Sequence, residues 1–297
     1  MFDKLRLDFS RTRVLIVGPN ASGKSSILEA IYFSFRFSPF RRNRKGYSVL
    51  INAGKERCSG RVSFSFLGIP HQISFSIDKG GAKFRFDDEP LKDKREFVIR
   101  YPVVSFIPED ILFVEGYPSY RRKFLDFMVS LGEGRMPDVY SYYRKMLKAG
   151  IYDRKVAETI QNLREEACET LNIYLSEFDV KLSFKRGKSP SVDDFLITKN
   201  GVQIRDMGSR GEKKFVALLL KLAVARSIES LRETPPLLIF DDPFSEIDES
   251  NSALLLNLLR DFPSFFVTFA TSREGGSSLP DFLKDVLSEV QLIEVPS

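Results

Sequence analysis

The sequence predicts an α/β fold: a mixed sheet with an antiparallel β subdomain, plus an inserted helical lobe and no long coiled coil. Three observations lead there. A short apolar run at residues 13–17 (RVLIV) is followed by a glycine-broken stretch, GPNASGKS, and then by helical spacing in which Ile27, Leu28, Ile31 and Phe35 share one face. A second apolar run, residues 237–240, ends in two acids, Asp241 and Asp242. Between the two, residues 120–178 switch to helical period, with charged outer faces.

The elements follow in order. Residues 36–45 (RFSPFRRNRK) form a basic loop after the first helix. Val62, Phe64 and Phe66 alternate with polar residues, as do Ile73, Phe75 and Ile77, so a hairpin is expected with LGIPHQ as its connection; residues 83–86 add a third strand. PVVSFI (102–107) reads as a buried strand ending at Pro108. Helices are expected at 120–131, 138–149 and 156–178, the last with a stripe of Ile160, Leu163, Ala167, Leu171 and Tyr174/Leu175. The heptad is too short for an extended coiled coil. Strand 180–185 precedes a hairpin turned by Asn200-Gly201, a type I′ signal. Helix 212–231, strand 237–240, strand 264–269 and an edge strand at 290–295 complete the chain. Residues 1–118 and 180–297 are expected to form a head and 119–179 a helical lobe.

Composition narrows the class. The 297 residues are 43% hydrophobic and 29% charged, ordinary for a soluble domain. No stretch has the length of an uncharged membrane span, and the opening MFDKLRLDF is charged where a signal peptide is apolar. Cys58 and Cys168 lack His partners at metal spacing, which fits a reduced cytoplasmic protein. A net charge of +5 says little, but the clusters say more. Arg41, Arg42, Arg44 and Lys45 lie in the basic loop, and Arg121-Arg122-Lys123 form a second group. Both suit a polyanion such as DNA; a solvated loop, or pairing with Asp126 within the helix, is the alternative.

The glycine-broken stretch has the spacing of a phosphate loop. Backbone N–H groups there, and at the helix start, face the β- and γ-phosphates of a nucleotide. Gly18, Asn20, Ala21, Ser22, Gly23, Lys24, Ser25 and Ser26 are the binding candidates. Lys24 supplies charge to the phosphates, and the Ser25 hydroxyl is placed to ligate Mg²⁺. Asp241, at the end of its strand, is the second Mg²⁺ candidate; Asp242 would position or deprotonate an attacking water. GSRGEKK (208–214) starts a helix at Ser209 and Gly211, a further anion site, and SEID follows, ending in Asp248. This order is that of ATP-binding-cassette heads, in which the Ser-x-Gly helix start of one subunit covers the ATP of the other. Transporter-type cassettes use a histidine after the next strand. Here Thr268 or Thr271 (FFVTFATS) must take that place if anything does, and the only histidine, His71, is expected as a surface residue of the hairpin connection. Asp242 is also one methylene shorter than the glutamate of fast cassettes. Both features point to slow chemistry.

Four stretches resemble the RecF family of bacterial recombination mediators: FIPEDILFVEGYPSYRRKFLD (106–126), SPFRRNRKGYSVLINAG (38–54), GSRGEKKFVALLLKLA (208–223) and LLIFDDPFSEID (237–248). They span nearly the whole chain in family order. The resemblance implies a cassette head with a helical lobe II, an ATP-dependent homodimer, slow DNA-stimulated ATP hydrolysis, DNA binding, and work with RecR and RecO in loading RecA at gaps. Ala21 stands where the family has glycine, Glu212 where it has glutamine, and the stretch ahead of the phosphate loop is short. A nucleotide-gated clamp with negligible turnover is the alternative function.

Overall fold

The computed structural model describes residues 3–40, 46–132, 136–271, 280–284 and 286–296. In chain order its elements are β1 (Arg13–Gly18), α1 (Lys24–Arg36), β2 (Cys58–Phe66), β3 (Ile69–Asp78), β4 (Gly81–Phe86), β5 (Glu89–Pro90), α2 (Lys94–Arg100) and β6 (Val103–Phe106). Then come α3 (Leu112–Glu115), α4 (Pro118–Gly132), α5 (Met136–Lys148), α6 (Arg154–Leu175), β7 (Val180–Lys185), β8 (Asp194–Lys199), β9 (Val202–Gln203), α7 (Ile204–Met207) and α8 (Arg210–Arg232). The chain ends with β10 (Leu237–Phe240), α9 (Glu249–Arg260), β11 (Phe265–Ala270), α10 (Asp281–Lys284) and β12 (Gln291–Glu294). Contacts divide it into two units: Met1–Ile107, Leu237–Ser245 and Phe262–Ser297 in one, Pro108–Pro236 and Glu246–Asp261 in the other. These units do not follow a boundary at 119–179, because β7, β8, β9 and α8 group with the helices.

In the first unit a five-stranded sheet runs β12-β1-β11-β10-β6. Every pair in it is parallel. The expected mixed character is thus divided between sheets: the central one is parallel, and the antiparallel strands β2-β3-β4-β5 form a sheet of their own. Parallel strands covered on both faces read as continuous apolar runs, which is why RVLIV and LLIF show no alternation. Helix α1 joins the two sheets. Its Phe33 is fully buried and meets the rings of Phe75 and Phe84, at 4.9 and 5.3 Å between centroids. Burying one such ring stabilises by about 2–3 kcal/mol. The helix ends where Phe37 turns left-handed (φ 58°) and its N–H bonds Phe33 O.

The β2–β3 hairpin is tighter than LGIPHQ suggests. Only Leu67 and Gly68 turn, both at positive φ, and Ile69 to Gln72 belong to β3. His71 therefore sits within a strand. Its ring packs against Phe64, Phe86 and Tyr101, its side chain is 11% exposed, and Nδ1 lies 2.7 Å from Asp87 Oδ2. The expected surface residue is a member of an aromatic cluster.

The second unit is built round α8, whose residues from Lys214 to Ala225 are all buried. The three-stranded antiparallel sheet β7-β8-β9 turns at Asn200 (φ 50°) and Gly201 (φ 76°), as the type I′ signal requires. On α6 the apolar stripe carries a polar core. Gln161 and Arg164 are buried, whereas Leu163 is half-buried. Arg164 donates to Asp126 and Asp193, each at 2.9 Å, and to Pro190 O. Gln161 donates to Asp193 Oδ1 at 2.6 Å. A buried guanidinium is tolerated because two carboxylates and a carbonyl accept hydrogen bonds from its N–H groups.

Candidate nucleotide site

The phosphate loop is held by the most buried strand of the first unit. β1 lies between β12 and β11 and delivers Gly18 to the carboxyl edge of the sheet. A Cβ on Gly18 would stand 2.4 Å from Val295 O, so no side chain fits there. Gly23 is the N-cap of α1 at φ 103°, and no side chain caps that helix, which leaves its start open to an anion. Ala21 also adopts a left-handed conformation (φ 67°), at a place suited to glycine. The Ser22 hydroxyl is buried and has no hydrogen-bond partner among the described residues.

Lys24, 7% exposed, curls back onto its own loop: Nζ donates to Gly18 O at 2.8 Å and to Pro19 O at 2.7 Å. Burial lowers its pKa, partly offset by the charges of Asp242 and Asp241. The Ser25 hydroxyl donates to Asp241 Oδ1 at 2.9 Å. Strand β10, one strand removed from β1, brings Asp241 to this point. Thr268 of β11, the intervening strand, completes the arrangement: Oγ1 donates to Asp241 Oδ1 (2.8 Å) and accepts from the Asp242 N–H (2.7 Å). Asp242 then leaves the strand with φ 50°. Thr268 is fully buried and uses its hydroxyl on the two acids. Thr271 follows β11, and its N–H bonds Gly18 O.

This donor set suits a magnesium–nucleotide complex. A buried cation, an orphaned hydroxyl and an uncapped helix start suit phosphate oxygens. A Ser–Asp pair suits a hard divalent ion that completes its shell with water and substrate oxygens. No group of three or more His, Cys, Asp or Glu able to hold a metal occurs among the described residues.

The second unit carries the other expected residues. Ser209 caps α8 in a capping box: its Oγ accepts from Glu212 N (3.3 Å), and Glu212 Oε2 accepts from Ser209 N (2.9 Å). That backbone bond holds the Glu212 carboxyl below its usual range. A Cβ on Gly211 would meet Glu246 O at 2.5 Å, so the Ser-x-Gly glycine is required by the loop beside it. Asp248 caps α9, accepting from Asn251 N at 2.8 Å and Ser250 Oγ at 2.6 Å. These bonds hold its carboxyl at about 2.

The cationic candidates fare differently. Arg41, Arg42, Arg44 and Lys45 lie outside the described residues. Arg121 is in the interior, 2% exposed, with Nε and Nη2 donating to the two carboxylate oxygens of Asp194 (2.6 and 3.0 Å) and Nη1 to Gly116 O. Arg122 is half-buried and donates to Asp193 O at 2.8 Å. The expected solvent-facing pair is therefore a structural one. The carboxylate that meets Arg121 comes from Asp194 at the start of β8, Arg122 meets a backbone carbonyl, and Asp126 serves Arg164. No described helix is long and apolar enough to cross a membrane.

Residues 1–275 match the family described as the RecF/RecN/SMC N-terminal domain. The chain is 27% identical to the DNA replication and repair protein RecF of Clostridium acetobutylicum, over 87% of this chain and 86% of that one. It is 26% identical to the protein of the same name in Geobacter sulfurreducens, over 87% and 86%. Among solved structures, it resembles the recombination mediator protein RecF-ATP of the RecFOR pathway, with a TM-score of 0.74 and 24% identity over 92% of this chain and 90% of that one. It also resembles an Smc head bound to the C-winged helix domain of ScpA, with a TM-score of 0.59 and 19% identity over 90% and 84%.

Proposed function

The chain belongs to the RecF/RecN/SMC N-terminal domain family and groups within it with RecF, and from that premise we propose that it is an ATP-dependent DNA-binding protein of recombinational repair. In this reading it dimerises on ATP, hydrolyses it slowly in response to DNA, and helps load recombinase at gapped DNA in the cytoplasm, with RecR, RecO and RecA as partners.

The observation that carries the reading is the bonded set Ser25–Asp241–Thr268–Asp242 beside a buried Lys24. Substrate phosphates would draw Lys24 from two loop carbonyls, replacing neutral acceptors by charged ones. Loop N–H groups and the α1 start orient the phosphates. Mg²⁺, held by Ser25 and Asp241, would supply charge neutralisation there. Asp242 positions the attacking water and takes its proton. Ser209 and Gly211 of a second copy would cover the γ-phosphate. The clamp with negligible turnover remains a second reading, favoured by the engaged Thr268 hydroxyl and by the distance in sequence of the only histidine, His71, which sits in the other sheet. Phosphate release with and without DNA separates the two.

The test is the mass of the protein in solution with and without ATP, for the wild type and Lys24→Ala. Wild type is expected to dimerise with ATP and the variant to stay monomeric. A variant that dimerises as well as wild type would remove the phosphate-loop assignment.

A further inference from the structure

We propose that the end of the second unit formed by the last turn of α5, the α5–α6 turn and the β7–β8 connection is a contact surface for a single nucleic-acid strand. The proposal rests on the DNA-binding reading above, but uses a surface which that reading leaves idle.

Local geometry brings the three segments together. Helix α5 closes with an Ile151 N–H bond to Met146 O around Gly150, whose φ is 74°, the pattern of a Schellman cap. That cap fixes the direction of Ile151 and Tyr152. The Tyr152 hydroxyl donates to Lys188 O at 3.4 Å, and its ring lies 6.5 Å from that of Tyr143 on α5. The Tyr142 hydroxyl reaches Asp153 at 3.5 Å.

The chemistry at this end is aromatic and basic. Tyr142 and Tyr152 are 46% and 52% exposed, and Leu147, Ile151 and Val192 are exposed as well. Lys145, Lys148, Lys155 and Lys188 are exposed and carry no ion pair among the described residues. Nearby arginines are already neutralised, Arg154 by Glu158 and Arg186 by Glu165. The acid on the turn, Asp153, caps α6 and offsets only one of the four lysines. The uncompensated charge is therefore positive and complements a polyanion. Half-exposed tyrosine rings beside lysines offer faces to unpaired bases, which a duplex keeps stacked, so a single strand is the better fit. Rings and lysines sit on a capped turn and a helix end, so little order remains to be imposed on binding.

The experiment measures binding of a fluorescent oligo-dT across a salt series, without nucleotide and with ATP, using a duplex of equal length and polyglutamate as comparators. Lys145→Ala/Lys148→Ala/Lys188→Ala is expected to lower the slope of log affinity against log salt by about 2, at ~0.7 per phosphate contact on a single strand. Tyr142→Ala/Tyr152→Ala is expected to weaken oligo-dT binding about tenfold or more, while leaving the slope unchanged. The Phe versions should restore it, and the duplex should respond less. Wild-type binding with an unchanged slope in the lysine variant overturns the surface alone. Equal loss of oligo-dT and polyglutamate, with no effect of the tyrosine changes, identifies an acidic-protein surface and overturns the strand assignment. Failure of the wild type to bind any DNA overturns the DNA-binding reading and this proposal with it.

Discussion

Replacing Thr268 by valine removes two hydrogen bonds and almost no volume. Thr268 is fully buried, and its Oγ1 bridges Asp241 Oδ1 and the Asp242 N–H at 2.8 and 2.7 Å. Depriving the Asp242 N–H of this acceptor costs about 1–3 kcal/mol. Losing a donor to the Asp241 carboxylate adds ~1–1.5 kcal/mol, softened because Ser25 still donates to the same oxygen. The new methyl returns about 0.8 kcal/mol. Thr268→Val is thus expected to destabilise by about 2–3 kcal/mol, a fall in Tm of roughly 3–5 °C. It should also loosen Asp241 and weaken Mg²⁺-dependent ATP binding. Thr268→Ser keeps both bonds and gives up one methyl, about 1 kcal/mol. Calorimetry of the three proteins, with ATP titrations in the presence and absence of Mg²⁺, provides the measurement. If Thr268→Val melts with the wild type and binds ATP equally well but no longer hydrolyses it, the hydroxyl serves the substrate and the bridging role is wrong.

Two further substitutions address the second unit. Glu212→Gln keeps an acceptor for the Ser209 N–H but removes the negative charge that would share the α8 start with a phosphate in the proposed dimer. ATP-dependent dimerisation should tighten about tenfold while monomer stability falls by less than ~1 kcal/mol, and unchanged dimer affinity in sedimentation would put this helix start outside the interface. Asp248→Ala removes the α9 cap and should cost about 1–2 kcal/mol at neutral pH. The Asp248 carboxyl is held at about 2, below its unfolded value, so its contribution is full above the ordinary carboxylate range and is lost as the pH falls toward 2. Urea titrations should show the gap between wild type and variant constant from neutral to mildly acid pH and closed near the acid limit; a gap that persists there assigns the loss to packing.

What is legible in this sequence is what neighbours along the chain decide. The loop after β1 runs through positive φ at Ala21 and Gly23 on its way into α1, a local demand that the glycine spacing announces. Asn200-Gly201 turns for a similar local reason. Thr268 is different. Its part depends on β11 lying between β1 and β10, a pairing order that no local pattern encodes. The site's two acids can be read from LLIFDD, but the residue that holds them cannot. His71 shows the same limit: an alternating strand predicts which face it shares, yet its partners Phe86, Asp87 and Tyr101 come from elsewhere in the chain. Arg164 sits on a stripe that periodicity marks as apolar, and the acid that buries with it, Asp193, stands 29 positions away.

Arg121 is a case where the sequence holds more than charge counting extracts from it. Three consecutive cations on a helix span about 200° of its circumference, so they cannot all face solvent if the helix has a buried stripe. The stripe of α4 is set by Phe124, Leu125, Met128 and Val129, all buried. Counting back three, four and seven positions from Phe124, Leu125 and Met128 reaches position 121 each time. Arg121 therefore falls on the buried face by period alone, Arg122 lies at its margin, and Lys123 points out. A buried guanidinium then demands a carboxylate, and Asp194, at the start of the FLITK strand, provides it. Basic runs on amphipathic helices should accordingly be divided by helical phase before they are assigned to nucleic acid. Applied to the end of α5, the same rule leaves Lys145 and Lys148 outward, since both are exposed while Tyr143 of that helix is buried.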